Sequence, residues 1–244
     1  MKDNKTYYDD FAGWYERERH GGYHALIDDL QTDLVKPNCI DKDVLEVGCG
    51  TGMILKEVQP VARRAVGIDI SSGMLAQAEA RGLEVVEGSA TELPFEDASF
   101  DVVYSFKVLA HVEEIERALR EISRVLRPGG HAVLEFYNPR SIRGVIKHLK
   151  RPTAVSDQTN DEEVYTRYDS LAQIKSYLPS TLRFDHINGV RVFTPLALVH
   201  KIPVMRGLFK GLEWWARDSK LLSRWGGFMV VTAERVEDGE TPNS

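Results

Sequence analysis

Glu46, Gly48, Gly50, Gly52 and Asp69 are the residues whose types and spacing point to chemistry. The stretch VLEVGCGTG, residues 44–52, leaves an apolar run and enters a turn with glycine at every second position, two residues after an acid. Glycine lets a backbone come close to a bound ligand. The carboxylate of Glu46 puts negative charge where a phosphate site would put positive charge. Asp69 closes the next apolar run but one helix later, twenty-one residues after Gly48 (69 − 48). In an open α/β sheet that is where an acid accepts both hydroxyls of a ribose.

Spacing then sorts the ligands such a turn can hold. A dinucleotide fingerprint, G-x-G-x-x-G, needs glycine at position 53, which is Met53. A phosphate loop needs Gly-Lys-Ser/Thr after four intervening residues, and here Ile54 stands where the lysine belongs. What fits is a nucleoside without phosphates that carries a positive charge, and S-adenosylmethionine is such a molecule.

The elements that position these residues alternate. DVLEV (43–47), AVGIDI (65–70), LEVVEG (83–88), FDVVYSF (100–106) and HAVLEFY (131–137) are short runs rich in Val, Ile and Phe, each separated by a helix-like stretch. Such alternation predicts βαβ units and a parallel sheet buried on both faces. One helix opens at Ser71 or Ser72 and closes at Gly82; another, from about Val112, ends at Pro128 and the glycine pair. A helix near 166–177 and strands near 182–192 and 226–236 follow. The predicted fold is α/β: a doubly wound, Rossmann-like sheet of seven strands, mostly parallel with an antiparallel last strand, and helices on both faces.

The predicted organisation is an N-terminal helical lid (1–36), a ligand-binding core (37–137), a helical insertion with C-terminal strands completing the same domain (138–236), and a disordered tail (237–244). With 31 basic and 37 acidic side chains in 244 residues, the chain has a formal charge of −6. That balance argues against a nucleic-acid partner, whose phosphates need clustered cations. Cys39 and Cys49 are too few for a disulfide framework and have no metal-ligand spacing, so no metal is expected. The polar opening MKDNKTYYDD and the lack of an apolar run of about 18 residues predict a cytoplasmic protein with no integral membrane segment.

VLEVGCGTG, AVGIDIS, ATELPFEDASFDVVYS and EISRVLRPGGHAVLEF, in that order, resemble the class I S-adenosylmethionine-dependent methyltransferases, particularly the small-molecule and quinone-type subgroup. The resemblance implies S-adenosyl-L-methionine as cofactor. It places Gly48, Gly50 and Gly52 along the methionine and ribose portion, Glu46 near the amino group, Asp69 on the ribose hydroxyls and Ile70 on the adenine face. Where the family has Gly-Asp-Ala after the third strand, this chain has Gly88-Ser89-Ala90. Ser89 then offers an uncharged hydrogen bond, and the Ala90 backbone takes a larger share of the adenine contact. Phe106 runs along the methionine side.

Methyl transfer from a sulfonium needs alignment and exclusion of water more than it needs a strong base. His111, after the fourth strand, is a candidate general base for a phenolic or carbon acid acceptor, and alternatively a cap of the next helix. Tyr137 is a second candidate. Tyr8 and Tyr15, seven residues apart, either close over the sulfonium by cation–π contact or pack the lid. The segment 193–222, apolar with interleaved Lys and Arg, reads as an amphipathic cover of the sheet edge, as a lid over a hydrophobic acceptor, or as a membrane-facing surface. The expected partner is a small acceptor, with lipophilic quinone-like rings and a non-catalytic cofactor-binding protein as the alternatives.

Overall fold

The computed structural model describes residues 22–141, 165–194, 203–219 and 221–237. Seven strands, β1 (Asp43–Val47), β2 (Arg64–Asp69), β3 (Glu84–Glu87), β4 (Phe100–Ser105), β5 (Leu126–Tyr137), β6 (Leu182–Val190) and β7 (Phe228–Arg235), form one sheet in the order β3-β2-β1-β4-β5-β7-β6. The pairs among β1 to β5 are parallel, and β7 runs antiparallel to both its neighbours. Strand order reverses between β1 and β4, the topological point at which open α/β sheets leave a crevice beyond their carboxyl ends.

Burial on both faces follows from the period of two along each strand. Leu45, Val47 and Val103 point to one face, packed by Ile115, Leu119 and Ile122 of α4 (Ile115–Val125). Val44, Val102 and Tyr104 point to the other, covered by α1 (Gly22–Val35) through Leu26, Ile27 and Leu30 and by α2 (Met53–Val58) through Ile54 and Val58. Each such fully buried side chain contributes on the order of 1.5–3 kcal/mol relative to exposure. α3 (Ser72–Ala80) starts at Ser71, whose Oγ accepts from Met74 N at 3.2 Å.

Two expected boundaries move. The helix of EISRVLRPGG stops at Val125, and Leu126 already pairs with Phe100 as the first residue of β5. The Arg-Pro-Gly-Gly excursion is a register shift inside that strand rather than a loop before it, made possible by Gly129 at φ 76° and by Gly130 lying against two carbonyl oxygens. The helix expected over 166–177 is shorter, α5 (Leu171–Tyr177), because Ser170 and Gln173 form a reciprocal capping box that fixes its start. Residues 165–170 just before it have no regular secondary structure, with Asp169 N donating to Tyr137 O at 2.8 Å and the buried Asp169 carboxylate paired with Arg167 at 2.7 Å.

The last helix, α6 (Pro203–Arg217), lies against β6. Its Glu213, fully buried, accepts the backbone N–H groups of Val192, Phe193 and Thr194 at 2.7, 3.0 and 2.8 Å. Three charge-assisted bonds make this buried carboxylate an anchor rather than an unpaired charge. Arg217 stacks on Trp214 and bonds Asp33 of α1 at 2.6 Å. Among the described residues no helix is long and apolar enough to cross a membrane.

Candidate functional site

At the β1/β4 reversal, Ser105 Oγ donates to Val47 O at 2.8 Å, fixing the two strand ends from which the chain diverges. The turn leaving β1 is held on β2 by Gly48 N and Cys49 N, both donating to Ile68 O, at 2.7 and 3.0 Å. Its glycines do different work. Gly50, at φ 53°, would present a Cβ to open space, so its freedom serves backbone conformation and access from the cleft. Gly52, at φ 76°, caps α2 from outside the cleft, and a Cβ there would lie 2.2 Å from Leu83 Cδ1.

A cleft of about 520 Å³ opens above this turn, the size of a small-molecule site. Glu46, Gly48, Gly50, Asp69, Ile70, Ser89, Ala90, Phe106 and His111 all border it; Gly52 and Tyr137 do not. Tyr8 and Tyr15 lie outside the described residues. Asp69 Oδ2 accepts from Gly50 N at 2.8 Å and Oδ1 from Ser71 N at 2.9 Å, so one carboxylate joins the turn to the start of α3. Glu46 is buried and accepts from Tyr104 Oη at 3.1 Å.

Burial, then the charge of Glu46, pushes the Cys39 thiol up to about 12 and likewise raises the Cys49 thiol and the Tyr104 phenol. Neither cysteine is a thiolate nucleophile at neutral pH. Cys49 instead fills the space left by Gly67, where a Cβ would meet its sulfur at 2.6 Å.

His111 sits in a short 3-10 turn, Leu109–His111, rather than at a helix cap. Its Nδ1 lies 2.8 Å from Tyr165 O and 3.3 Å from Thr166 Oγ1. A carbonyl oxygen only accepts, so the Nδ1 carries the proton and Nε2 holds the lone pair of the neutral ring. Tyr137 stands edge-on to this ring at 5.7 Å and packs on Tyr168 and Phe228.

Residues 45–134 match the family described as Methyltransferase domain. Over 94 residues the chain is 42% identical to a Mycolicibacterium smegmatis protein named "Probable S-adenosylmethionine-dependent methyltransferase", covering 38% of this chain and 37% of that one. Over 97 residues it is 42% identical to a demethylmenaquinone methyltransferase of Mycolicibacterium paratuberculosis, covering 39% and 42%. The core is a class I S-adenosylmethionine-dependent methyltransferase domain.

The matched stretch spans less than half the length of those two curated relatives. The whole fold extends the likeness: a crystal structure of an S-adenosylmethionine-dependent methyltransferase from Thermotoga maritima superposes with a TM-score of 0.65 at 19% identity, over 94% of this chain and 98% of that one.

The cleft of this methyltransferase domain fits S-adenosylmethionine on its own chemistry. Its carboxylates, Glu46, Asp69, Glu113 and Glu114, outnumber its one lysine, Lys107, which is already held by Asp28 at 2.6 Å. A dinucleotide's phosphates would find little positive charge there. Thr51, also on the cleft, is buried, and its Oγ1 has no hydrogen-bond partner among the described residues.

Several cleft residues escaped the sequence reading. Thr51 and Thr91 are small polar residues inside recognised motifs; Thr91 shares a 2.8 Å hydrogen bond with the Ser89 hydroxyl. Lys107 and Val108 gave no periodic signal, since Lys107 turns the chain at φ 63°.

Proposed function

We propose that this chain transfers a methyl group from S-adenosylmethionine to a small-molecule acceptor. The observation that carries the reading is one cleft bordered by Asp69, Gly50, Glu46 and His111 together. When bound, the cofactor supplies a methyl group already activated by its sulfonium. Asp69 accepts the ribose hydroxyls; Ile70, Ser89 and Ala90 hold the adenine; Gly48, Gly50, Thr51 and Glu46 hold the methionine end, with Phe106 beside it. Gly52 supports the turn from behind.

His111 Nε2 takes the acceptor's proton while Nδ1–H stays on the Tyr165 carbonyl, which keeps the ring in one orientation. Tyr137 supports that ring and is not itself the base. Residues 37–137 serve as the cofactor core and 138–236 as the acceptor side of the same domain, while α1 packs on the sheet rather than over the cleft. The chain works in the cytoplasm on a small acceptor and not on a nucleic acid, in keeping with its charge of −6.

A lipophilic, phenolic ring is the acceptor class we favour, supported by the likeness to a demethylmenaquinone methyltransferase and by the aromatic surroundings of His111. The test is transfer of labelled methyl from S-adenosylmethionine to hydroxylated aromatic rings, with primary amines in parallel. Label in the phenols and not in the amines is the expected result. Cofactor binding with label in neither class would remove this reading.

A further inference from the structure

Four of the five exposed large apolar side chains among the described residues fall within one short stretch: Leu208, Trp215, Leu221 and Trp225, 55–71% exposed. Leu208 and Trp215 stand seven residues apart on α6 and so share one outer stripe. The opposite face of α6 is already committed: Ala216 and Glu213 are fully buried and Trp214 packs on the core. A helix that buries one apolar face and exposes another needs a second cover.

The platform is held firmly. Trp215 stacks on Phe193 with ring centroids 6.4 Å apart and planes 18° from parallel. The following 3-10 turn, Leu222–Trp225, packs against α6 and β6 and is held by Asn138 Nδ2, which donates to Arg224 O and Gly226 O at 2.9 and 3.0 Å.

Charge says what covers it. By sequence, residues 201–225 carry six basic side chains and two acidic ones in a chain whose total is −6; three of the six, Lys201, Arg206 and Lys220, lie outside the described side chains. One of the two acids, Glu213, is buried under backbone amides. The other, Asp218, pairs with Arg217, and the nearby acids of α1, Asp29 and Asp33, face Lys210 and Arg217. Arg224, exposed beside Trp225, has no ion pair among the described residues. Exposed tryptophan and leucine with a local cationic surplus is the composition of an interfacial helix on anionic lipid.

We infer that the outer face of α6 and the adjoining turn is a docking surface for an anionic bilayer, with Trp215 and Trp225 in the headgroup region. The inference is independent of the acceptor's identity.

The test is flotation of the full chain with vesicles of phosphatidylcholine alone or mixed with phosphatidylglycerol. Anionic vesicles should carry the protein at least about tenfold better than neutral ones, and high salt should release it. The double variant Trp215→Ser, Trp225→Ser should bind anionic vesicles about tenfold more weakly, since two aromatic anchors are removed. Its S-adenosylhomocysteine affinity, unchanged, reports that it is folded. No flotation with anionic vesicles, or equal flotation of the double variant, would overturn the proposal. So would a wild-type dimer in sedimentation that the double variant dissolves without any vesicle binding, which would make this face a contact between two copies of the chain.

Discussion

Lys107 Nζ stands 2.6 Å from Asp28 Oδ1, tying the loop after β4 to α1. The backbone N–H of the same residue donates to Glu135 Oε1 at 3.2 Å, and the other oxygen of that carboxylate accepts from Gln31 of α1. Glu135 is almost wholly buried. One carboxylate on β5 thus holds both the cleft loop and the N-terminal helix. Glu135→Ala leaves a buried amide and a backbone N–H without their acceptor, at about 1–3 kcal/mol each. The midpoint of denaturant unfolding should fall accordingly, and Glu135→Gln should recover part of the loss.

Asp69→Ala removes charged hydrogen bonds worth about 1.5–3 kcal/mol each. S-adenosylhomocysteine affinity, read by calorimetry, should drop tenfold or more by that measure. Affinity equal to wild type would show that Asp69 serves only Gly50 and Ser71.

Gly50 and Gly52 make a matched pair for separating ligand access from folding. Gly50→Ala meets no atom, so its stability cost is that of a left-handed residue, about 1 kcal/mol, while cofactor affinity falls. Gly52→Ala adds a collision with Leu83 and should unfold at clearly lower denaturant. Thermal melts with and without S-adenosylhomocysteine distinguish the two.

His111→Ala should lower kcat by about 10²–10⁴, the span of general base catalysis, with cofactor affinity held. A small loss in kcat with a changed KM for the acceptor would make His111 a binding residue.

At the opposite end of the sheet, hydrogen bonding from Arg63, at 2.6 Å, and then from Arg127 lowers the Asp43 carboxyl to about 2. Its folded value is therefore below the unfolded one of about 3.9. The stabilisation is fully present above the unfolded value and disappears as pH falls toward 2. Arg63→Met should flatten that part of the acid unfolding curve while leaving stability at pH 4–3 less dependent on pH than in wild type.

The sequence by itself determined the alternation of strands and helices from residue 43 to 137, the glycine turn, and the acids at positions 46 and 69, because each is a local pattern of burial or backbone freedom. Period two in VLEV and AVGIDI and the serine before α3 are legible without a partner. Whether a glycine borders the cleft or the core is not: Gly50 has open space where Gly52 meets Leu83 and Ala78, which arrive from another βα unit. The proton on His111 likewise depends on Tyr165, fifty-four positions away, and the edge-on packing of Tyr137 against that ring is equally beyond any local pattern. Lys107, Glu135 and Asp28 meet across three elements, with no pattern in any one of them. Strand ends and turns are set by neighbours in the chain; the walls of the cleft are set by contacts between residues far apart in it.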